Sequence, residues 1–177
     1  MIANAVSRMV AEGENMVVEV CRRKGLEQFF MHRAPAAIVA DATVGVPLVH
    51  FISEDLEMLP ELICIRSSRD AAGRILEKEL GELGLSPKVI YGCDVYQSKH
   101  ALAELEPECV FGSNIEKHAV EDLSIPFVFL LVSPTSRFRL VDRAYFGYEG
   151  MLNLIELIQN DWRDRYRSRQ RRYRARW

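Results

Sequence analysis

From Ala36 to Val132, short apolar runs alternate with longer stretches in which apolar residues recur every three or four positions. The runs are "AAIVAD", "LICIR", "KVIYG", "CVFG" and "FVFLLV". They are too short for helices and apolar on both faces, the pattern of strands covered from both sides. Between them, "LVHFISEDLEML", "DAAGRILEKELGELGL", "SKHALAEL" and "IEKHAVEDL" carry helical spacing. Alternation of this kind predicts an α/β fold: a single doubly wound, Rossmann-like domain. Its parallel sheet of about five strands has helices on both faces and right-handed crossovers.

Local signals set expected boundaries. "ATVGVP" reads as a loop after the first strand, and Pro60 closes the helix that follows. Asp70 is the expected N-cap of the next helix. Ile75, Leu76, Leu80 and Leu83 form its apolar face, with Gly84 near its end. Before the sheet, Val6, Met9, Val10, Val17, Val20 and Cys21 keep roughly helical spacing, interrupted at Gly13. One or two helices are expected there. After it, "RAYFGYEG" opens a helix whose inner face is Met151, Leu154, Ile155, Ile158 and Trp162. The layout is then an N-terminal helical segment over 1–34, the α/β domain over 35–160, and an Arg-rich tail over 161–177, helical or disordered.

Composition changes little of this. A chain of 177 residues with 49% hydrophobic and 27% charged positions has the make-up of one ordinary soluble domain. Its longest apolar run, "IPFVFLLV", falls far short of the ~20 residues of a membrane helix, and the first residues lack the order of a secretory signal. A cytoplasmic protein without membrane contact is expected. Cys21, Cys64, Cys93 and Cys109 form no C-x-x-C pair, which argues against a disulfide scaffold or a zinc site. The net charge of −2 conceals an asymmetry. From Trp162 onward there are 8 Arg against 1 Asp, while the rest of the chain holds 15 Lys and Arg against 24 Asp and Glu.

In a doubly wound sheet ligands bind beyond the carboxyl ends of the strands, where strand order reverses. That rule selects a rim of candidate ligand-binding residues. After the first strand come Asp41, Thr43 and Gly45, then Ser67 and Ser68, then Cys93 and Asp94, then Ser113 and Asn114. The last loop adds Arg137, Arg139, Arg143, Tyr145, Gly147, Tyr148, Glu149 and Gly150. Three arginines there suit an anionic ligand or a partner's carboxylates, and equally a solvated loop. "ADATVGVP" offers only Gly45 and no free helix N-terminus, so a plain turn outweighs a nucleotide site. Cys64 and Cys109 read as small core hydrophobes, and Cys93, though at a strand's end, reads as structural too. His32, His50, His100 and His118 match no metal-ligand spacing, and residue order supports no catalytic triad.

Two longer stretches, "EPECVFGSNIEKHAVEDLSIPFVFLLVSP" and "YFGYEGMLNLIELI", resemble the third domain of the nitrogenase component 1 family. The matching features run in order: Gly112, Ser113 and Asn114, then Ile125 and Pro126, then Gly147, Tyr148, Glu149 and Gly150. "AAIVADATVG" resembles the strand and loop opening that domain, with Ala40 where a glycine is usual. The resemblance covers residues 35 to 160, and its last motif is the most specific. It implies a rim that walls a cavity shared with two similar domains and filled by a metal cluster or a tetrapyrrole. It also implies other component 1 chains as partners in a homo- or hetero-oligomer, and an ATP-dependent reductase partner. The cluster-bridging cysteines of the family lie in a first domain that this sequence lacks. The metal-ligating histidine of alpha-type chains falls near Arg137, so the loop is nearer to beta-type chains. The isolated chain is therefore expected to hold no cofactor and to lack reductase activity alone. An iron-sulfur or related metallocluster is expected only in a complex.

Three readings follow. A component 1 third domain that completes a site with other chains should expose an apolar face. A stand-alone ligand-binding or assembly module should have a closed surface. Nucleic-acid binding through the tail, where arginines interleave with Tyr166, Tyr173 and Trp177, is the weakest, because alternate arginines spread around a helix. It requires a steeply salt-dependent affinity that truncation after Asp161 removes.

Overall fold

The computed structural model describes residues 2–24, 32–123, 125–129, 144 and 147–174. Helix α1 (Ile2–Lys24) precedes five strands, β1 (Pro35–Ala40), β2 (Leu59–Ile65), β3 (Lys88–Tyr91), β4 (Cys109–Gly112) and β5 (Phe127–Phe129). Helices α2 (Ala42–His50), α3 (Arg69–Glu82), α4 (Val95–Leu105) and α5 (Asn114–Val120) connect successive strands, and α6 (Gly147–Arg174) closes the chain. All strand pairs are parallel, in the order β3-β2-β1-β4-β5.

The period of two along β1 divides the core. Ala36, Ile38 and Ala40 join the cluster that takes Leu48 and Val49 from α2, Ala72, Leu76 and Leu80 from α3, and Ile155, Leu157 and Ile158 from α6. Ala37 and Val39 face the opposite cluster, with Ala101 and Leu102 of α4 and Val120. Helices therefore cover both faces, and strand order reverses between β1 and β4. Phe111, fully buried on β4, contributes roughly 2–3 kcal/mol of apolar burial by itself.

Several expectations need correction. "ATVGVP" is no loop: α2 begins at Ala42, directly after Asp41, and carries Pro47 inside it. A helix N-terminus therefore does stand at the end of β1. Thr, Val, Gly and Pro are poor helix formers, and packing of Leu48 and Val49 overrides them. After His50 the helix widens into a π turn over Phe51–Asp55. Pro60 closes no helix; it is the second residue of β2, where the β1 register shifts and β3 does not yet pair. Its missing N–H costs nothing at that point. The strand ends at Ile65, which leaves Arg66 beyond it. Ser68, not Asp70, occupies the N-cap position of α3. Ile75 is 62% exposed and lies off the α3 core face, while Ala72 takes a place on it. Gly84 ends that helix with φ +64, the left-handed conformation expected after a helix C-terminus. On α6, Leu157 is buried although the apolar spacing omitted it; the side chain of Trp162 lies outside the described residues.

Gly13 does not split α1, which runs unbroken from Ile2 to Lys24. Its function is contact. A Cβ there would strike the ring of Tyr148 in the first turn of α6. Val17 and Cys21 continue the same packing toward the core. The glycine-rich opening of α6 thus faces α1, and Tyr148 is the side chain that joins them. Gly147, at φ +69, gives that helix its turn.

A double-mutant cycle tests this contact. Gly13→Ala should destabilise the chain by about 1–2 kcal/mol through overpacking. In a Tyr148→Ala background the same change should stabilise by up to about 1 kcal/mol, the helix propensity difference. Urea midpoints of the four proteins give the sign.

Candidate functional site at the carboxyl rim

The reversal between β1 and β4 leaves a small open cleft of about 40 Å³ at their carboxyl ends. Ala40, Asp41 and Val44 line one side, Gly112 and Ser113 the other, and Arg66 comes in from the end of β2. Small residues keep it open. At Gly112 a Cβ would crowd the Glu116 side chain at 3.1 Å and the Phe127 ring at 3.1 Å.

The polar edge is built around one buried acid. Glu116, in the first turn of α5, is 1% exposed. Its Oε2 accepts from the Ser113 backbone N–H at 2.8 Å and from the Ser113 hydroxyl at 2.7 Å, closing a capping box. Its Oε1 accepts from Nη2 of Arg66, whose side chain is 28% exposed. The same Nη2 reaches the Ser113 hydroxyl oxygen at 3.1 Å. The Arg66 backbone N–H is held by Ala40 O at 3.1 Å. Three strand ends, those of β1, β2 and β4, are tied into one unit.

The rim residues singled out in the sequence fall into groups. Asp41 and Ser113 line the cleft, and Asp41 is the N-cap residue of α2 without a side-chain capping bond. Thr43 is exposed on the first turn of α2 and Asn114 is half-buried at the start of α5. Gly45 lies below the rim: it is buried, and a Cβ would meet Ile65 Cδ1 at 2.8 Å. Cys93 and Asp94 follow β3, at the far edge of the sheet from β5. Asp94 caps α4, accepting from Gln97 N–H at 2.7 Å. Cys93 is buried, and its thiol donates to Asp94 O at 3.4 Å. Glu149 is exposed and Gly150 buried on α6, while Tyr148 packs on Gly13. Arg137, Arg139, Arg143 and Tyr145 lie outside the described residues.

Arg66 and Glu116 were not among the expected site residues. Arg66 looked like the last residue of a strand. Glu116, however, was announced by S-x-x-E over Ser113–Glu116, a capping box signature.

A metallocluster needs thiolates or imidazoles gathered at one place. Among the described residues no group of three or more His, Cys, Asp or Glu stands close enough to hold a metal ion. Burial pushes the thiols of Cys64, Cys93 and Cys109 above their ordinary range. The described donors do not fit a cluster held by this chain alone.

A family profile described as nitrogenase component 1 type oxidoreductase matches residues 10–163. The chain belongs to that family. It is 27% identical over 130 residues to the nitrogenase molybdenum-iron protein beta chain of Methanococcus maripaludis, covering 73% of this chain and 28% of that protein. It is 31% identical over 81 residues to a chain of the light-independent protochlorophyllide reductase of Synechococcus elongatus, covering 45% of this chain and 16% of that one. A solved structure of nitrogenase Cp1 at pH 6.5 shares the fold, with TM-score 0.75, 18% identity, and coverage of 88% of this chain and 33% of that chain. This component 1 chain spans about a third or less of the relatives it matches. Among its described residues no helix is long and apolar enough to cross a membrane.

Glu116→Gln should destabilise the chain by about 2–3 kcal/mol, since it removes the charge that compensates half-buried Arg66. Ser113→Ala should cost about 1 kcal/mol, the worth of a cap. Chemical denaturation measures both.

Proposed function

We propose that this chain is a component 1 third domain, one whose carboxyl rim forms one wall of a cavity completed by other component 1 chains. In that assembly the cavity holds a metallocluster or a tetrapyrrole, and electrons come from an ATP-dependent reductase. The chain supplies shape and hydrogen bonds, and the redox groups sit on its partners.

One observation carries the reading. A chain of the component 1 family carries a doubly wound sheet with an open rim at its β1/β4 switch point. Helix α1 supports it as well. Residues 4–12 are all exposed, and Val6, Met9 and Val10 on one helical face are 54%, 70% and 41% exposed. An apolar stripe left bare in this way is the mark of a surface that another chain covers.

The test is iron per chain, measured anaerobically on protein purified from its native host with whatever accompanies it. Iron should arrive only with co-purifying component 1 chains and should leave with them. Iron-free, partnerless protein would overturn the assembly reading and favour a stand-alone binding module.

A further inference from the structure

We propose that the cleft between β1 and β4 binds an oxyanion, the carboxylate or phosphate of a small molecule, on the unengaged donors of Arg66. A guanidinium carries five N–H donors in a rigid fork. Here Nη2 is committed to Glu116 and Ser113, while Nε and Nη1 bond to none of the described residues. Arg66 nevertheless forms part of the cleft wall and remains 28% exposed.

The geometry is that of a held donor. Both oxygens of Glu116, 1% exposed, are engaged by Ser113 and Arg66, so the carboxylate fixes the guanidinium in place rather than facing a ligand. A long side chain already ordered loses little further entropy when an anion arrives. With Nη2 committed, the Nε–H and Nη1–H bonds point to different sides of the guanidinium, so an anion takes single charge-assisted bonds from them rather than a parallel pair. The cleft's free volume of about 40 Å³, room for about three waters, takes a carboxylate or phosphate head at its open mouth. Asp41 acts against it. Its exposed carboxylate lines the same cleft and makes no capping bond, so it repels a bound anion and favours one that also carries a hydroxyl or amine donor.

This inference is independent of the assembly reading, and its test uses the purified chain without partners. Either can fail while the other stands. Inorganic phosphate and succinate are titrated in turn into 15N-labelled chain at neutral pH, following the Arg66 Nε–H and the Asp41–Thr43 and Ser113 amide signals. Saturable shifts are expected for at least one anion, and the preferred anion tells phosphate from carboxylate. Arg66→Lys keeps the charge but loses the Nε–H and Nη1–H donors that Glu116 holds in place, and should weaken binding by about tenfold or more. Asp41→Asn should tighten it several-fold by removing the like charge, which provides the decision if the Arg66 variant fails to fold. Shifts that stay linear for both anions, or an affinity that neither variant changes, would overturn the proposal.

Discussion

The carboxyl rim depends on the ion pair of Arg66 and Glu116. Parallel strands end in loops that share no ladder hydrogen bonds with one another, so a rim needs some other tie. Here one buried carboxylate collects a backbone N–H, a hydroxyl and a guanidinium, which join α5 to the ends of β2 and β4. Taking Glu116 out of water is costly, and it becomes tolerable because both carboxylate oxygens are bonded and a guanidinium compensates the charge. A buried charge bonded at both oxygens favours one arrangement and penalises others. The cleft above it is thereby held open with a fixed shape.

The second constraint is closeness of backbone. Gly112 and Gly45 let side chains from the sheet and helices approach the strand ends, and Gly13 admits the ring of Tyr148 between α1 and α6. The rim is thus rigid at the switch point and joined to α1 by an aromatic contact on one face. What remains bare is the outward face of the first turns of α1. A rigid rim together with an uncovered apolar stripe on α1 suits a surface that other chains cover.

How much of this was legible from residues alone follows from the physics of each element. Strands buried on both faces announce themselves as apolar runs, so β1 to β4 and the fold class could be read directly. Helix α2 could not, because Thr43, Val44, Gly45 and Pro47 argue locally for a loop and only packing against the sheet makes a helix of them. Gly13 misled for the same reason: a glycine looks like a break until the ring it accommodates is seen. The rim residues were placed by topology, which puts Asp41 and Ser113 at neighbouring strand ends but carries no information about which charges pair. The partnership of Arg66 with Glu116, 50 positions apart, belongs to tertiary structure. Only the cap motif at Ser113 hinted at it.

The central claim is that the carboxyl rim is a face completed by other chains. Hydrogen exchange, compared between the chain alone and the chain with its co-purified partners, tests it most directly. Protection should appear at 41–45, 66–68, 113–116 and 147–150, and along the first turns of α1. Unchanged exchange at all of these segments, or protection confined to the β3 edge or the amino ends of the strands, would contradict it.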